Sequence, residues 1–376
     1  PIPFIMATAQ GEKKNTVAAK EAGATNTITK PFSQAELMQV LEETFSEKKV
    51  DDIPVEKEKR QTASGKPLLR VAHIQITDHL TLGVLKHHIS INKVNPGSFE
   101  LETVCMSSWN PVQQALEKGE VDAAFILSPI AMDLFSYHVP IKLILFAHKN
   151  GSITVRHKTK EEKQTLCDAF KGKTFYIPHI LSIHHMLLNM FLREVGLNPG
   201  VVGKEGVDVF FEVVPPVKMP EFLASNPDAA GFTVAEPMGT KAIAAGTGEL
   251  LYLSGEMWEY HPCCVVVFRD EFIAAHPNAV QGYANLLVQS GQYISRNPEK
   301  SAEIGVAFLD PEKKLGLNVP VLKNVLREPK GIKTDDLLPV ASDLDRLQKY
   351  MHQEMGIRTL IDVEKFIDIR FAQAAC

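Results

Sequence analysis

The sequence predicts an α/β protein built from a short first unit and two larger lobes. Apolar runs of strand length alternate with helix-compatible segments along most of the chain, a pattern that favours parallel sheets with crossover helices. The 376 residues exceed the roughly 100 to 200 residues of a typical domain. Polar residues follow several predicted strands, and parallel sheets bind ligands at those strand ends. We therefore expect a ligand site at the edge of a sheet.

A strand, helix, strand unit shows this pattern most clearly. The apolar run Leu101–Met106 precedes a helical segment that Gly119 ends, and a buried run, Ala123–Leu127, follows. The carboxyl ends of these strands carry four candidate ligand contacts: Ser107, Ser108, Trp109 and Ser128. The alternative for Trp109 is a place in the core, although the two serines before it favour a hydrated edge.

Composition excludes some functions and predicts a compartment. The net charge of -5, from 40 Lys and Arg against 45 Asp and Glu, provides no basic field for nucleic acid. No apolar run approaches 18 residues, so we predict no membrane span. Five cysteines without a C-x-x-C pair favour a reducing, cytosolic compartment. The chain begins at Pro1, and a periplasmic location is the alternative if an upstream signal has been removed.

The first 48 residues read as strand, helix, strand, helix, with strands at 2–7 and 25–29 and helices at 13–22 and 33–47. Thr8, Lys30 and Pro31 in this setting resemble the second half of a flavodoxin-like response-regulator receiver domain. The resemblance implies that Thr8 and Lys30 contact a phosphorylated aspartate, which this segment does not contain. We therefore predict no phosphotransfer, and a homodimer through the open edge of the half sheet. A solvated lysine before a turn is the alternative for Lys30.

A polar linker at residues 49–67 leads into a longer α/β alternation. Strands are predicted at 69–76, 99–106, 123–127, 141–147, 153–156, 174–177, 207–213, 230–233, 249–253 and 263–268. Helices are predicted at 81–89, 182–195, 218–224, 237–245, 270–276, 279–296 and 337–355. We predict a first lobe at 68–158, a second lobe at 159–258, and a return to the first lobe at 259–376. Two crossings between lobes predict a hinge and a cleft.

The order of these elements and several phrases resemble solute-binding proteins of the nitrate, sulfonate, taurine and thiamine-precursor type (NMT1/THI5-like). The phrases are GEVDAAF at 119–125, Glu236-Pro237 after a buried strand, and IDVEKFID at 361–368. The resemblance covers about Leu68 to Ala375. It implies a type II periplasmic-binding-protein fold, in which two hinged lobes close on a small ligand.

Asp78 and His79 follow the first strand of the first lobe, where the family places ligand contacts; capping of the next helix is an equal alternative. Asn150, Gly151 and Ser152 lie near the predicted hinge, where glycine permits close backbone approach to a ligand. A hairpin turn explains the Asn-Gly pair equally well.

The segment 178–186, PHILSIHHM, joins a strand to a helix start, which is a natural anion site. His179, Ser182 and His184 are candidate ligand contacts, with Ser182 as the helix cap. The segment resembles the nitrate and bicarbonate branch of the family, which implies an anion contact at His184. Of the adjacent His184 and His185, we expect one at the surface. A metal site at His179, His184 and His185 lacks a carboxylate at suitable spacing, so we predict no metal and no cofactor.

Glu236 lies where the family's Glu-Pro motif occurs, to bind ligand or to pair across the cleft. Cys263 and Cys264 stand where the nitrate branch carries an acidic and a basic residue, and the lost cation argues against nitrate itself. Trp258, Tyr260 and His261 would then line a pocket for a less charged or larger ligand.

Together these features predict a cytosolic sensory protein that captures a small molecule or anion, of nitrate, bicarbonate or sulfonate type, and signals by closing its cleft. One alternative is a substrate-binding protein that delivers solute to an ABC permease. A third is an enzyme like the thiamine-pyrimidine synthases, but their longer cysteine-rich signature is absent. We therefore predict a non-enzyme whose partners are a small ligand and a signalling protein or permease.

Overall fold

The computed structural model describes residues 5–9, 26–30, 40, 62, 64–158, 165–200, 205–357 and 360–376. The chain divides into two compact units, Pro1–Lys59 and Arg60–Cys376.

In the first unit, strands β1 (Ile5–Ala9) and β2 (Asn26–Lys30) form a parallel pair. Both lie close to strands expected from the sequence. Pro31 and the side chains of Thr8 and Lys30 lie outside the described residues, as do nearly all residues of the two predicted helices. The receiver resemblance and the homodimer therefore stay predictions.

The second unit contains eleven strands among its described residues. They are β3 (Leu68–His73), β4 (Glu100–Cys105), β5 (Ala123–Leu127), β6 (Ile141–Phe146), β7 (Ser152–His157), β8 (Thr174–Ile177), β9 (Pro199–Gly200), β10 (Val209–Val213), β11 (Ala229–Ala235), β12 (Gly248–Leu253) and β13 (Cys264–Arg269).

Helices connect and cover these strands. They are α1 (Leu80–Ser90), α2 (Trp109–Lys118), α3 (Ser128–Ser136), α4 (Leu166–Phe170), α5 (Ile183–Glu194), α6 (Met219–Ser225), α7 (Met238–Ala244), α8 (Ser254–Met257), α9 (Asp270–Ala275), α10 (Pro277–Arg296), α11 (Pro298–Leu309), α12 (Val319–Arg327), α13 (Ala341–Gln353), α14 (Val363–Phe366) and α15 (Ile369–Ala375). Short 3₁₀ turns occur at Thr77–His79 and Pro216–Lys218.

The strands of the second unit form two sheets. The chain first builds most of one sheet, then the whole of the other, and then returns to the first. The first sheet has the order β4-β3-β5-β13-β6, and the second has the order β12-β7-β11-β8-β10-β9. The chain passes from the first sheet to the second at residues 147–151 and returns at residues 254–263. These two stretches are called the crossing segments below. The first change of sheet lies before β7, earlier than the predicted lobe boundary at residue 158.

The burial of side chains in each sheet follows the apolar pattern of its strands. All five residues of β5 are buried, as expected for a central strand covered on both faces. In β8, Phe175 and Ile177 pack into one apolar cluster while Tyr176 packs into another, because successive side chains point to opposite faces. Full burial of each large apolar side chain contributes about 1.5–3 kcal/mol.

Helices α1 and α10 pack against each other, and α11 packs between α1 and α12. The close approach depends on small residues. A methyl group at Gly83 of α1 would lie 2.5 Å from the Phe308 ring, so only glycine fits there without displacement of that side chain.

No helix in the described part of the chain is both long and apolar enough to span a bilayer.

Candidate functional site

The ends of strands from both sheets meet where the crossing segments run, and this region is called the seam. Thr77, which follows β3 of the first sheet, donates its hydroxyl to the backbone oxygen of Glu236, which follows β11 of the second sheet, at 2.6 Å. The backbone N–H of Thr77 donates to the same oxygen at 2.9 Å. The seam is therefore the junction of the two lobes, at the strand ends where the sequence predicts ligand contacts.

The side of the seam contributed by the first sheet is called the first wall. It consists of Asp78, His79, Trp109, Ser128, His148, Cys263 and Cys264, all of them buried. The side contributed by the second sheet, called the second wall, consists of Ser152, Ser182, His184 and Glu236, also buried.

A buried ion pair lies at the centre of the first wall. Nε2 of His148 lies 3.1 Å from Oδ2 of Asp78, and neither side chain is exposed. Burial opposes the charge on both groups, but their mutual attraction outweighs it. The pKa of His148 is raised to about 10, and the pKa of Asp78 is lowered. Both groups are therefore charged at neutral pH.

Two thiols approach the same carboxylate. Sγ of Cys263 lies 3.6 Å and Sγ of Cys264 lies 3.5 Å from Oδ2 of Asp78. Burial raises the pKa of Cys264 well above its ordinary range. Burial acts in the same direction on Cys263, but hydrogen bonds with Cys264 and His148 outweigh it and lower the pKa of that thiol. The first wall thus concentrates ionisable and nucleophilic groups around one oxygen atom.

His79 and Trp109 form the aromatic part of the first wall. Their rings meet edge to face with centroids 5.7 Å apart, a favourable arrangement. Nδ1 of His79 lies within 3.1 Å of both the N–H and the carbonyl oxygen of Ile74. Burial lowers the pKa of His79 to about 3, so its ring is neutral. Trp109 is both a core residue and a wall residue, and its indole N–H has no described hydrogen-bond partner.

In the second wall, Ser152 and His184 form a hydrogen-bonded pair with Oγ to Nε2 at 2.9 Å. Burial lowers the pKa of His184 to about 4, so the imidazole is neutral. The serine hydroxyl either donates to or accepts from Nε2. Nδ1 of His184 has no described partner and can therefore present a donor or an acceptor to a ligand.

The start of α5 is capped as the sequence predicts. Ser182 Oγ accepts the N–H of His185 at 3.0 Å and donates to the carbonyl oxygen of His179 at 2.7 Å. The hydroxyl is therefore engaged in the cap. The expectation that His184 or His185 lies at the surface is wrong, because both are buried. The His185 ring packs against Phe211 at 4.6 Å, away from the Ser152 contact of its neighbour.

Glu236 uses its carboxylate within its own lobe. Oε2 accepts the N–H of Thr240, in the first turn of α7, at 2.9 Å, and Oε1 accepts the Thr240 hydroxyl at 2.5 Å. Burial raises the pKa of Glu236 to about 7, against the effect of these bonds. Its contact across the seam is made by the backbone, since Thr77 binds the carbonyl oxygen.

Left-handed backbone shapes the first crossing segment. Asn150 and Gly151 have φ of 57° and 91°, and β6 and β7 lie in different sheets, so the predicted hairpin alternative is wrong. Both side-chain polar atoms of buried Asn150 lack a described hydrogen-bond partner. A methyl group at Gly255, in the second crossing segment, would lie 2.8 Å from Nδ2 of Asn150. The two crossing segments are therefore in close contact.

His261, in the second crossing segment, is fully buried and accepts the N–H of Asn150 with its carbonyl oxygen at 3.0 Å. Burial lowers its pKa to about 3, and that pKa also responds to His148, His184 and Asp78. Its Nε2 has no described partner. His261 is therefore within electrostatic reach of both walls, and its role as a ligand contact stays a prediction.

Four predicted contacts have no described side-chain bond across the seam. Ser107 is exposed and Ser108 is half-buried before α2. His179 is half-buried, and its Nδ1 accepts the N–H of Leu181 at 2.9 Å. Ser128 is buried, and its hydroxyl has no described partner.

Sequence reasoning missed His148. It lies two residues after the end of β6, the same kind of strand-end position that identified Asp78 and Ser128. The available signal was therefore the end of a buried strand. Its pairing with Asp78 had no local signal.

The sequence profile of the family described as NMT1-like matches residues 62–307. A nitrate/nitrite binding protein, NrtA, from Nostoc sp. is 26% identical over 249 residues, which is 61% of this chain and 54% of that protein. The chain spans about half or less of the length of the curated relatives it matches.

Solved structures show the same fold. The periplasmic nitrate-binding protein NrtA from Synechocystis PCC 6803 superposes with a TM-score of 0.71 at 17% identity, over 82% of this chain and 88% of that one. The ligand-binding component of an ABC-type import system from Staphylococcus aureus, solved with zinc bound, superposes with a TM-score of 0.70 at 21% identity, over 82% of this chain and 99% of that one. The predicted two-lobed periplasmic-binding-protein fold is confirmed.

Proposed function

The chain belongs to the NMT1-like family, and on that premise we propose that it captures a small solute at the seam for delivery to an ABC-type permease. The observation that carries the proposal is a set of buried side-chain polar atoms, in both walls and in the crossing segments, that have no described hydrogen-bond partner. These are Nε2 of His79, Nε1 of Trp109, the Ser128 hydroxyl, the Asn150 amide, Nδ1 of His184 and Nε2 of His261. Buried polar atoms are usually hydrogen-bonded, so a polar solute is their natural partner.

Charge limits the class of solute. Among the described residues of the two walls, His148 is the one cationic side chain, and Asp78 neutralises it. His79, His184 and His261 are neutral because burial lowers the pKa of each to about 4 or below. A neutral or weakly charged solute with donors and acceptors therefore suits the seam better than nitrate.

The transport role is favoured over the sensory role that the sequence predicts. The similar proteins are named as binding proteins and components of import systems, and one of them is named as periplasmic. We therefore propose a location outside the cytosol and a binding role rather than catalysis. The sensory role depends on residues 1–48, and it stays a prediction.

Calorimetric titration with bicarbonate, nitrate, nitrite, an alkanesulfonate and a pyrimidine tests the proposal. We expect one of them to bind with 1:1 stoichiometry. His184→Ala should weaken that binding about tenfold or more, the effect of losing one buried hydrogen bond. His87→Ala, on the half-buried end of α1, is the matched control. Failure of every solute to bind, or equal binding by His184→Ala, would overturn the proposal.

A further inference from the structure

Four side chains with metal-ligand chemistry meet in the first wall. They come from three distant segments: Asp78 follows β3, His148 follows β6, and Cys263 and Cys264 lead into β13. One ligand atom from each lies within 4.8 Å of every other. All four residues are buried, at 1% exposure or less.

The distances suit a tetrahedral centre. Metal bonds of about 2.0 Å to oxygen or nitrogen and about 2.3 Å to sulfur place ligand atoms roughly 3.3–3.8 Å apart. Around Oδ2 of Asp78, Nε2 of His148 lies at 3.1 Å, and the two sulfur atoms lie at 3.5 and 3.6 Å. Small shifts of the side chains would therefore complete the geometry.

The hydrogen bonding around the four residues is uneven. Oδ2 of Asp78 contacts His148 and both cysteines. Oδ1 of the same carboxylate and Nδ1 of His148 have no described hydrogen-bond partner. Nε2 of His148 contacts a hydrogen-bond acceptor and a hydrogen-bond donor at once. The acceptor is Oδ2 of Asp78, and the donor is the backbone N–H of Cys264, which points to Nε2 at 3.3 Å. A nitrogen cannot donate to the carboxylate and accept from the amide with the same site. A cation bound by the Nε2 lone pair and by Oδ2 would account for the close approach of these two atoms without a shared proton, and the Cys264 N–H would then no longer bond to Nε2.

We propose that Asp78 Oδ2, His148 Nε2, Cys263 Sγ and Cys264 Sγ bind one divalent transition-metal ion of the zinc class. Thiolate sulfur, imidazole nitrogen and carboxylate oxygen are all zinc ligands, and four of them around one ion give the tetrahedral coordination that zinc adopts. On binding, the two ligating thiols and the His148 imidazolium each release one proton to solvent, so His148 binds as the neutral imidazole. A dication with one carboxylate and two thiolates carries one net negative charge, so the centre is not an anion site. The inference goes beyond solute capture and does not depend on it.

All four ligands belong to the first wall, and none comes from the second. The ion would therefore bind whether or not the lobes close on a solute. It would also tie both crossing segments to the end of β3, since His148 and the cysteines lie at the first-sheet ends of those segments.

The test uses the full chain, stripped with a chelator and kept reduced with a phosphine. Zinc is titrated against a chromophoric competitor, and Co²⁺ serves as the spectroscopic probe. We expect one zinc per chain and a cobalt spectrum with visible tetrahedral bands and an intense near-ultraviolet thiolate band. The double change Cys263→Ser and Cys264→Ser should remove the thiolate band. It should weaken zinc binding by more than the ~10–100-fold that loss of an outer-shell partner costs.

Cys105→Ser and Cys167→Ser are the matched controls, because these cysteines are exposed or half-buried and lie outside the cluster; both should keep the wild-type spectrum and affinity. If the double variant does not fold, Asp78→Asn replaces it in the same assay. Absence of the thiolate band in the wild-type protein would overturn the proposal. So would unchanged zinc binding by the variants, or a Cys263–Cys264 disulfide detected by mass spectrometry of protein that was never reduced. A solute that binds at the seam without metal leaves these outcomes unaffected.

Discussion

The two walls of the seam are stabilised in opposite ways. The first wall buries a charge pair, Asp78 and His148, because each partner keeps the other ionised. The second wall buries neutral imidazole and serine, because His184 has no carboxylate in contact and burial lowers its pKa to about 4. His148 is therefore cationic, whereas His184 in the second wall and His79 in the first are neutral. Distance to a carboxylate decides between the two.

This contrast predicts that removal of one charge from the first wall has the largest effect. His148→Ala leaves the Asp78 carboxylate buried without its partner, which should lower the free energy of unfolding by about 3–5 kcal/mol. Chemical denaturation in the presence of a chelator measures the change. Lys218→Ala breaks the exposed pair with Glu221 and is the control, with an expected loss below about 1 kcal/mol. A loss below 1 kcal/mol for His148→Ala would mean that the pair is not charged.

Neutral buried histidines of the second lobe predict loss of stability in acid. Burial lowers the pKa of His185 from 6.5 to about 4, so between these values the unfolded chain binds a proton that the folded chain does not. The free energy of unfolding therefore falls as pH drops from 6.5 to about 4, by roughly 3 kcal/mol from this one group. Denaturation curves of wild type and His185→Gln across that range measure it. The variant should show a shallower slope, and parallel slopes would contradict the assignment.

Loss of the helix cap should have a smaller effect. Ser182→Ala removes the acceptor of the His185 N–H and should cost about 1 kcal/mol, whereas Ser182→Asp should retain most of the stability. Ser225→Ala, at the exposed end of α6, is the control. Equal stability of Ser182→Ala and wild type would show that the cap contributes nothing to the second wall.

A loss similar to that of the helix cap is expected for the side-chain bond between the lobes. Thr77→Val removes the hydroxyl that donates to the Glu236 carbonyl oxygen and keeps the backbone bond to the same atom. We expect a loss of about 0.5–1.5 kcal/mol, measured by denaturation. Thr62→Val, outside the seam, is a suitable control. A loss above 3 kcal/mol would mean that the lobes depend on this single contact.

Local sequence patterns were sufficient to predict most of the helices and strands. Strands β5 and β8 have the bounds that the sequence predicts, and Ser182 caps α5 as expected. Periodicity and capping depend on residues within a few positions of each other, which a sequence displays directly. The strand-end rule also identified Asp78 and Ser128, because it needs only the position where an apolar run stops.

Tertiary structure alone decided which strand ends meet. The position of β7 along the chain predicted that this strand belongs to the first lobe. In the structure, β7 pairs with β11 and β12 in the second sheet. Asp78 lies 185 residues before Cys263 along the chain, and no local pattern encodes a contact over that separation. The protonation states follow from such contacts, since burial and a charged neighbour set a pKa and both belong to the folded chain. The sequence by itself therefore determined the alternation of strands and helices, while the packing of the two sheets decided the chemistry of the seam.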